Sequence, residues 1–342
     1  MAWPTPKWWY RRGARPGFLL QTILRSMSRV WIYVAARRQK RSKPQQFGVP
    51  VICVGGVTMG GTGKTPVARE LLRRLNARGV AAYGLSRGYG GKLEGPVRVD
   101  PNLHDAAAVG DEPLLLAREA PVWVARDRAA GAAAAVAAGA EALVLDDGHQ
   151  NPTLKKTLSL VVIDGETRDE EWPFGDGEVF PAGPMREPLD VGLARADAVI
   201  VMLPADLEAP DPELLALLGD LPVLVARLAP LGPPPPGRRL GFAGIAKPWK
   251  VERALIAAGW DLVDFAPFPY HAPFDASDLS FLQGRAEMLG AGLVTTEKDW
   301  VRLPPEWRTQ VPAWPVAAKF EDEAALDLLL DGALLDKALS QD

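Results

Sequence analysis

The stretch that decides the fold is Val49-Pro50-Val51-Ile52-Cys53-Val54-Gly55-Gly56-Val57-Thr58-Met59-Gly60-Gly61-Thr62-Gly63-Lys64-Thr65-Pro66. A short apolar run leads into a glycine-rich turn and then into Lys-Thr. The phosphate-loop pattern G-x-x-x-x-G-K-[ST] asks for glycine where this chain has Thr58. The physics survives that departure. Backbone N–H groups of such a turn, and the amino end of the next helix, point at phosphate oxygens. Gly60, Gly61 and Gly63 still let the backbone come close. The loop from Thr58 through Met59, Gly60, Gly61, Thr62 and Gly63 to Lys64 and Thr65 is therefore expected to hold the phosphates of ATP. Lys64 would reach the β- and γ-phosphates, and Thr65 would ligate Mg²⁺. Cys53, the single cysteine, reads as a small buried strand residue.

Working outward, "TPVARELLRRLNARG" predicts a helix with Val67, Leu71, Leu72 and Leu75 on one side and Gly79 as its stop. "VAAYGLS", "PVWVA", "EALVLDDG", "LSLVVIDG" and "ADAVIVML" read as strands, with helices at "EPLLLAREA" and "RAAGAAAAVAAGA". Alternating strands and helices predict an α/β fold with a doubly wound, mostly parallel sheet. "LGPPPPGRR" reads as a stiff linker, after which a smaller α/β unit follows, its strands including "WPVAAKF" and its last helix "DEAALDLLLDGALL". The expected divisions are 1–46 for a basic amphipathic segment, 47–228 for the phosphate-loop domain, 229–238 for the linker and 239–342 for the smaller domain.

Two further carboxylate sites stand out. "ALVLDDG" ends an apolar strand in Asp146 and Asp147, where a carboxylate can hold Mg²⁺ directly or through water. "VGDEPLLLA" places Asp111 and Glu112 just before a helix. They read either as a helix cap or as a base facing the γ-phosphate. Nothing in spacing singles out His104, His149 or His271.

Charge is distributed unevenly. No acid precedes Glu70, while eleven Lys and Arg residues lie between Lys7 and Lys43. Such an arm fits an anionic partner. Trp3, Trp8, Trp9 and Tyr10, followed by "GFLLQTILRSMSRVWIYVAARRQKR", favour a membrane surface over nucleic acid. Leu20, Ile23, Leu24, Met27, Trp31 and Val34 can share one helix face, with Arg25 and Arg29 on another. Those arginines argue against a span. The reading is an amphipathic helix in the interface, its basic tail on anionic headgroups.

In order along the chain stand "VICVGGVTMGGTGKTP", "LSRGYGG", "VGDEPLLLA", "DDGHQNPTLKKTLSLVVIDG", "FPAGPMREPL", "GFAGIAKP", "FPYHAPF" and "TTEKDWVRL". Together they resemble the tetraacyldisaccharide 4′-kinase family over nearly the whole chain. The resemblance implies a cytoplasmic-face inner-membrane enzyme that moves the γ-phosphate of Mg-ATP to the 4′-hydroxyl of an acylated glucosamine disaccharide 1-phosphate. It implies that Asp111 is the catalytic base, with His271 as its partner. Tyr270 and Ala272 replace the family's residues flanking that histidine. Tyr89, Glu112, Arg128, Gln150, Arg186 and Glu187 match further active-site positions. His149 stands where the family has an aromatic residue, and Gly56 stands in place of an asparagine. An alternative class is the membrane-associated ATPase of deviant Walker A type. Its lysine would precede Gly60, where this chain has Met59, and it would not need a second domain.

Overall fold

The computed structural model describes residues 6–270 and 274–339. Its strands are β1 (Val51–Gly55), β2 (Ala82–Ser86), β3 (Val97–Arg98), β4 (Val122–Val124), β5 (Ala142–Asp146), β6 (Leu158–Asp164), β7 (Ala198–Met202), β8 (Val223–Pro230), β9 (Arg239–Ala243), β10 (Leu262–Pro267), β11 (Gly292–Thr296), β12 (Ala313–Trp314) and β13 (Val316–Phe320). Nine of them form one sheet, in the order β13-β8-β7-β6-β1-β5-β2-β4-β3. The two edge strands run antiparallel to their neighbours and the rest are parallel. β10-β9-β11-β12 form a second, wholly parallel sheet.

The doubly wound expectation therefore holds. β1, β5, β6 and β7 are buried along their whole length, which is why they read as continuous apolar runs rather than alternations. The helix Lys64–Ala77 buries Val67, Leu71, Leu72 and Leu75 against the sheet. Each such fully buried aliphatic side chain contributes about 1.5–3 kcal/mol. Cys53 is wholly buried, and desolvation pushes its thiol up to about 11.

One division of the chain needs correction. The smaller unit was expected to run to the end, from 239 to 342. Instead β13 returns to the large sheet and pairs with β8, Val316 opposite Pro230 and Phe320 opposite Ala226. The helix Glu323–Leu339 then lays Leu326, Leu330 and Ala333 on the same core as Leu71 and Leu75. Arg74 and Arg78 fasten it through Asp327 and Asp331, at 3.0 and 2.9 Å. The chain thus crosses between units twice, at 231–238 and at Pro315.

The amino-terminal helix runs Phe18–Arg41. It docks through Ser28, whose hydroxyl donates to Val179 O at 2.6 Å, and through Ile32. Leu24 is half-buried, while Leu20, Ile23, Met27, Trp31 and Val34 are exposed. The basic arm is partly neutralised within the molecule. Arg12 pairs with Glu213, Arg15 with Asp176 and Arg25 with Glu178. Arg38, Lys40, Arg41 and Lys43 stay exposed. No described helix is long and apolar enough to cross a membrane.

Candidate active site

The carboxyl ends of β1, β5 and β6 converge where doubly wound sheets bind ligands. β1 delivers the loop, and the helix Lys64–Ala77 starts at its end. The loop is buttressed from outside. Met59 N donates to Pro184 O at 2.7 Å, and Arg186 Nε donates to Thr58 O at 3.0 Å. Gln150 Nε2 donates to Gly56 O at 2.9 Å and to Glu187 Oε1 at 2.8 Å. Glu187 is in turn held by Arg195 at 2.6 Å. Gln150, Arg186 and Glu187, expected at the active site, thus brace the loop itself.

Lys64 is buried, and its contacts are long: Gly60 O at 3.4 Å and Asp147 Oδ1 at 3.9 Å. Burial lowers its pKa. An ammonium so weakly served suits a phosphate that supplies closer oxygens.

The two acids after β5 part company. Asp147 adopts a left-handed backbone (φ 56°) and takes both arms of Arg186, at 2.7 and 2.9 Å. Burial alone would raise its pKa, yet Arg186 and Lys64 hold it well below the usual carboxylate range. Asp146 forms no such ion pair among the described residues. Burial, then the charges of Glu112 and Asp147, push its pKa up. Its Oδ2 accepts from Thr65 Oγ1 at 3.2 Å, and its buried Oδ1 has no hydrogen-bond partner among the described residues. A buried carboxylate oxygen left open beside a threonine hydroxyl fits an oxygen-liganded divalent cation. Among the described residues no cluster of three His, Cys, Asp or Glu could hold an ion unaided. Phosphate oxygens and water would complete the set.

The opposite wall comes partly from the smaller unit. Asp111 and Glu112 open the helix Asp111–Leu116, and Asp111 Oδ1 accepts from the N–H of Glu112 at 2.9 Å. Gly110, not Asp111, occupies the cap position (φ 91°). A Cβ on Gly110 would fall 2.6 Å from Tyr89 O, so only glycine lets the "SRGYGG" turn pack here. The Tyr89 ring itself is exposed. Lys298 Nζ meets Glu112 Oε1 at 2.8 Å and lies 5.5 Å from the Tyr270 ring centroid. Burial opposes its charge, but Glu112 and its acidic neighbours raise its pKa. Arg302 Nε stands 3.8 Å from Asp111 Oδ2, and its Nη2 donates to Gly244 O and to Asp299. His271 and Ala272 lie outside the described residues. Lys298 and Arg302 were not anticipated as site residues. Their clue was two cations four residues apart just beyond a strand, in "TTEKDWVRL".

Arg128 is buried at the start of the helix Arg128–Ala137, where Nη1 donates to Ala125 O at 2.7 Å. Burial and the charge of Arg87 bring it down to about 10, while Asp147 and Asp146 act on it from the site. His149 is structural. Fully buried, it bridges Ser159 Oγ at 3.0 Å and Gly192 O at 2.8 Å, and burial lowers it to about 4.

A phosphate loop, a carboxylate pair split by charge, and a facing acid held by cations from a second α/β unit define a P-loop phosphotransferase. A family model described as tetraacyldisaccharide-1-P 4′-kinase matches residues 20–335. A tetraacyldisaccharide 4′-kinase of Caulobacter vibrioides (strain NA1000 / CB15N) is 65% identical over 328 residues, spanning 96% of this chain and 98% of that one. The enzyme of the same name from Maricaulis maris (strain MCS10) is 50% identical over 95% of both. The crystal structure of LpxK from Aquifex aeolicus in complex with ATP superposes with a TM-score of 0.71 at 23% identity, covering 92% of this chain and 99% of that one, and supports the fold. The chain belongs to the tetraacyldisaccharide 4′-kinase family.

Proposed function

We propose that the chain uses the carboxyl edge of its large sheet to transfer the γ-phosphate of ATP to the 4′-hydroxyl of a tetraacylated disaccharide 1-phosphate, giving the bis-phosphorylated lipid A precursor. The observation that carries this reading is the convergence of loop, Asp146 and Glu112. The Glu112 carboxylate is close enough to act on both Lys64 and Asp146, so the facing acids and the phosphate loop serve one site. Lys64 and the N–H groups of Gly60–Thr65 bind and orient the phosphates. Thr65 and Asp146 would hold Mg²⁺, with Asp147 behind them, and the ion would neutralise charge on the phosphates. Asp111, assisted by His271, takes the proton of the acceptor hydroxyl as its oxygen attacks phosphorus and ADP leaves. Positioned base catalysis of this kind contributes roughly 10²–10⁴-fold. Arg302 and Lys298 hold the two facing acids in place.

The acyl chains point to the amino-terminal helix. Phe18, Leu19, Ile23, Met27, Val30 and Val34 expose a run of apolar surface, with Arg38, Lys40, Arg41 and Lys43 exposed at its end. Apolar residues beside free cations suit the anionic cytoplasmic leaflet of the inner membrane, entered without spanning it.

The test is transfer of label from γ-labelled ATP to tetraacyldisaccharide 1-phosphate in detergent micelles. Wild type should label the lipid. Lys64→Ala should lose about 10²–10³-fold or more, as for a removed transition-state donor, and Asp111→Ala should fall steeply. ATP hydrolysis without labelled lipid would return the protein to the ATPase class.

A further inference from the structure

Tyr10 belongs to the segment that precedes the amino-terminal helix, yet it is buried against the phosphate loop. Its hydroxyl donates to Met59 O at 2.6 Å. Gly60 packs against it so closely that a Cβ there would sit 2.7 Å from the phenolic oxygen. The ring also carries Lys247 Nζ over it, 4.4 Å from its centroid. That ammonium comes from the smaller unit and is fixed by Asp164 at 3.0 Å and Glu171 at 3.2 Å. The backbone is clamped as well. Trp172 N donates to Tyr10 O at 2.8 Å, and the backbones of Arg11 and Glu171 form an antiparallel β-bridge. Burial, with the charge of Asp164, raises the phenol's pKa, so it stays a donor.

We propose that Tyr10 is a positioning residue of the phosphate loop. Held between Met59 and Lys247, it fixes the outer turn at Met59–Gly60 in the shape that receives a nucleotide's phosphates. The inference rests on the loop holding those phosphates, as proposed above. The phenol occupies the outside of the turn, where a loop with several glycines has least stiffness of its own. Its hydrogen bond therefore acts on nucleotide affinity through loop geometry, without touching the acceptor.

The experiment measures binding of ADP and of Mg-ATP to the full chain by calorimetry, with KM for each substrate, in wild type, Tyr10→Phe and Tyr10→Leu. Loss of one buried hydrogen bond predicts about two- to tenfold weaker nucleotide binding for Tyr10→Phe. KM for ATP should rise by the same factor, with KM for the acylated disaccharide unchanged. Tyr10→Leu, which also loses the contact with Lys247, should weaken nucleotide binding further. Unchanged nucleotide affinity in Tyr10→Phe would overturn the proposal, even with a lowered Tm. So would equal changes in both KM values, which mark a general structural role. Failure of wild type to bind either nucleotide would sink the phosphate-loop reading itself.

Discussion

The two walls of the site are built on opposite rules. On the large-sheet side, a few polar groups facing the loop are left under-served. Lys64 has only long contacts, and Asp146 Oδ1 and Thr62 Oγ1 are buried without a hydrogen-bond partner among the described residues. On the facing side, charges are matched. Glu297 takes Arg69 at 2.7 Å and Arg118 at 3.0 Å, Lys298 takes Glu112, and Asp299 accepts from Gly244 N at 3.0 Å. Burying an unpaired polar group is costly, so the open groups mark where a ligand supplies what the fold withholds. The matched groups mark where the protein holds itself together.

Substitution at Asp146 gives the sharpest contrast. Asp146→Asn removes a buried carboxyl whose charge is opposed by burial and by Glu112 and Asp147 more than Lys64 favours it, so the ligand-free protein should gain stability. The same change should cost phosphate transfer about 10²–10³-fold, the scale of losing one electrostatic contact to the transition state. Thermal unfolding and the transfer assay, run together, check the pair of outcomes. A variant both less stable and fully active would erase the distinction between the walls.

A second contrast lies in the floor under the loop, where His149 is buried and neutral. Its pKa is lowered from 6.5 to about 4. A base depressed in this way contributes stability that is complete above about pH 6.5 and drains away as pH falls towards 4. At about 1.4 kcal/mol per pH unit this reaches roughly 3 kcal/mol. His149→Phe should flatten denaturant-derived stability across that window, although it strands the partners on Ser159 and Gly192 at neutral pH. An unchanged slope would show that another group titrates there.

The smallest effect belongs to the matched wall. A double-mutant cycle on Glu112→Gln and Lys298→Met should return a coupling of about 0.5–3 kcal/mol in unfolding free energy. That coupling should be present without nucleotide. Coupling that appears only with nucleotide bound would move Lys298 to the receiving side.

This division also explains what the sequence could disclose. The loop, Thr65, Asp146 and Asp147 were legible because each motif is contiguous and sits at the end of an apolar strand. Lys298 was not, because it meets Glu112 across 186 positions and only topology joins them. The bracing roles of Gln150, Arg186 and Glu187 escaped for the same reason. Their spacing says that they return to the loop, not which atoms they touch. "WPVAAKF" reads as one strand of the smaller unit, but β12 ends at Trp314 and β13 starts at Val316. A single proline separates strands of two different sheets, and no periodicity reports such a step. β2, by contrast, was legible as a largely buried apolar run. β3, two residues long at an edge, left no such trace.

The return of β13 has a consequence for how the protein is made. Synthesis runs from the amino terminus, and β8 is complete some 85 residues before its partner β13 exists. Until then the large sheet carries an exposed edge, the kind of template on which other strands add. The intervening smaller unit can fold on its own strands in that interval, and its folding brings Pro315 back beside Pro230. β13, the last of the described strands, closes that edge, and the helix Glu323–Leu339 seals the core behind it.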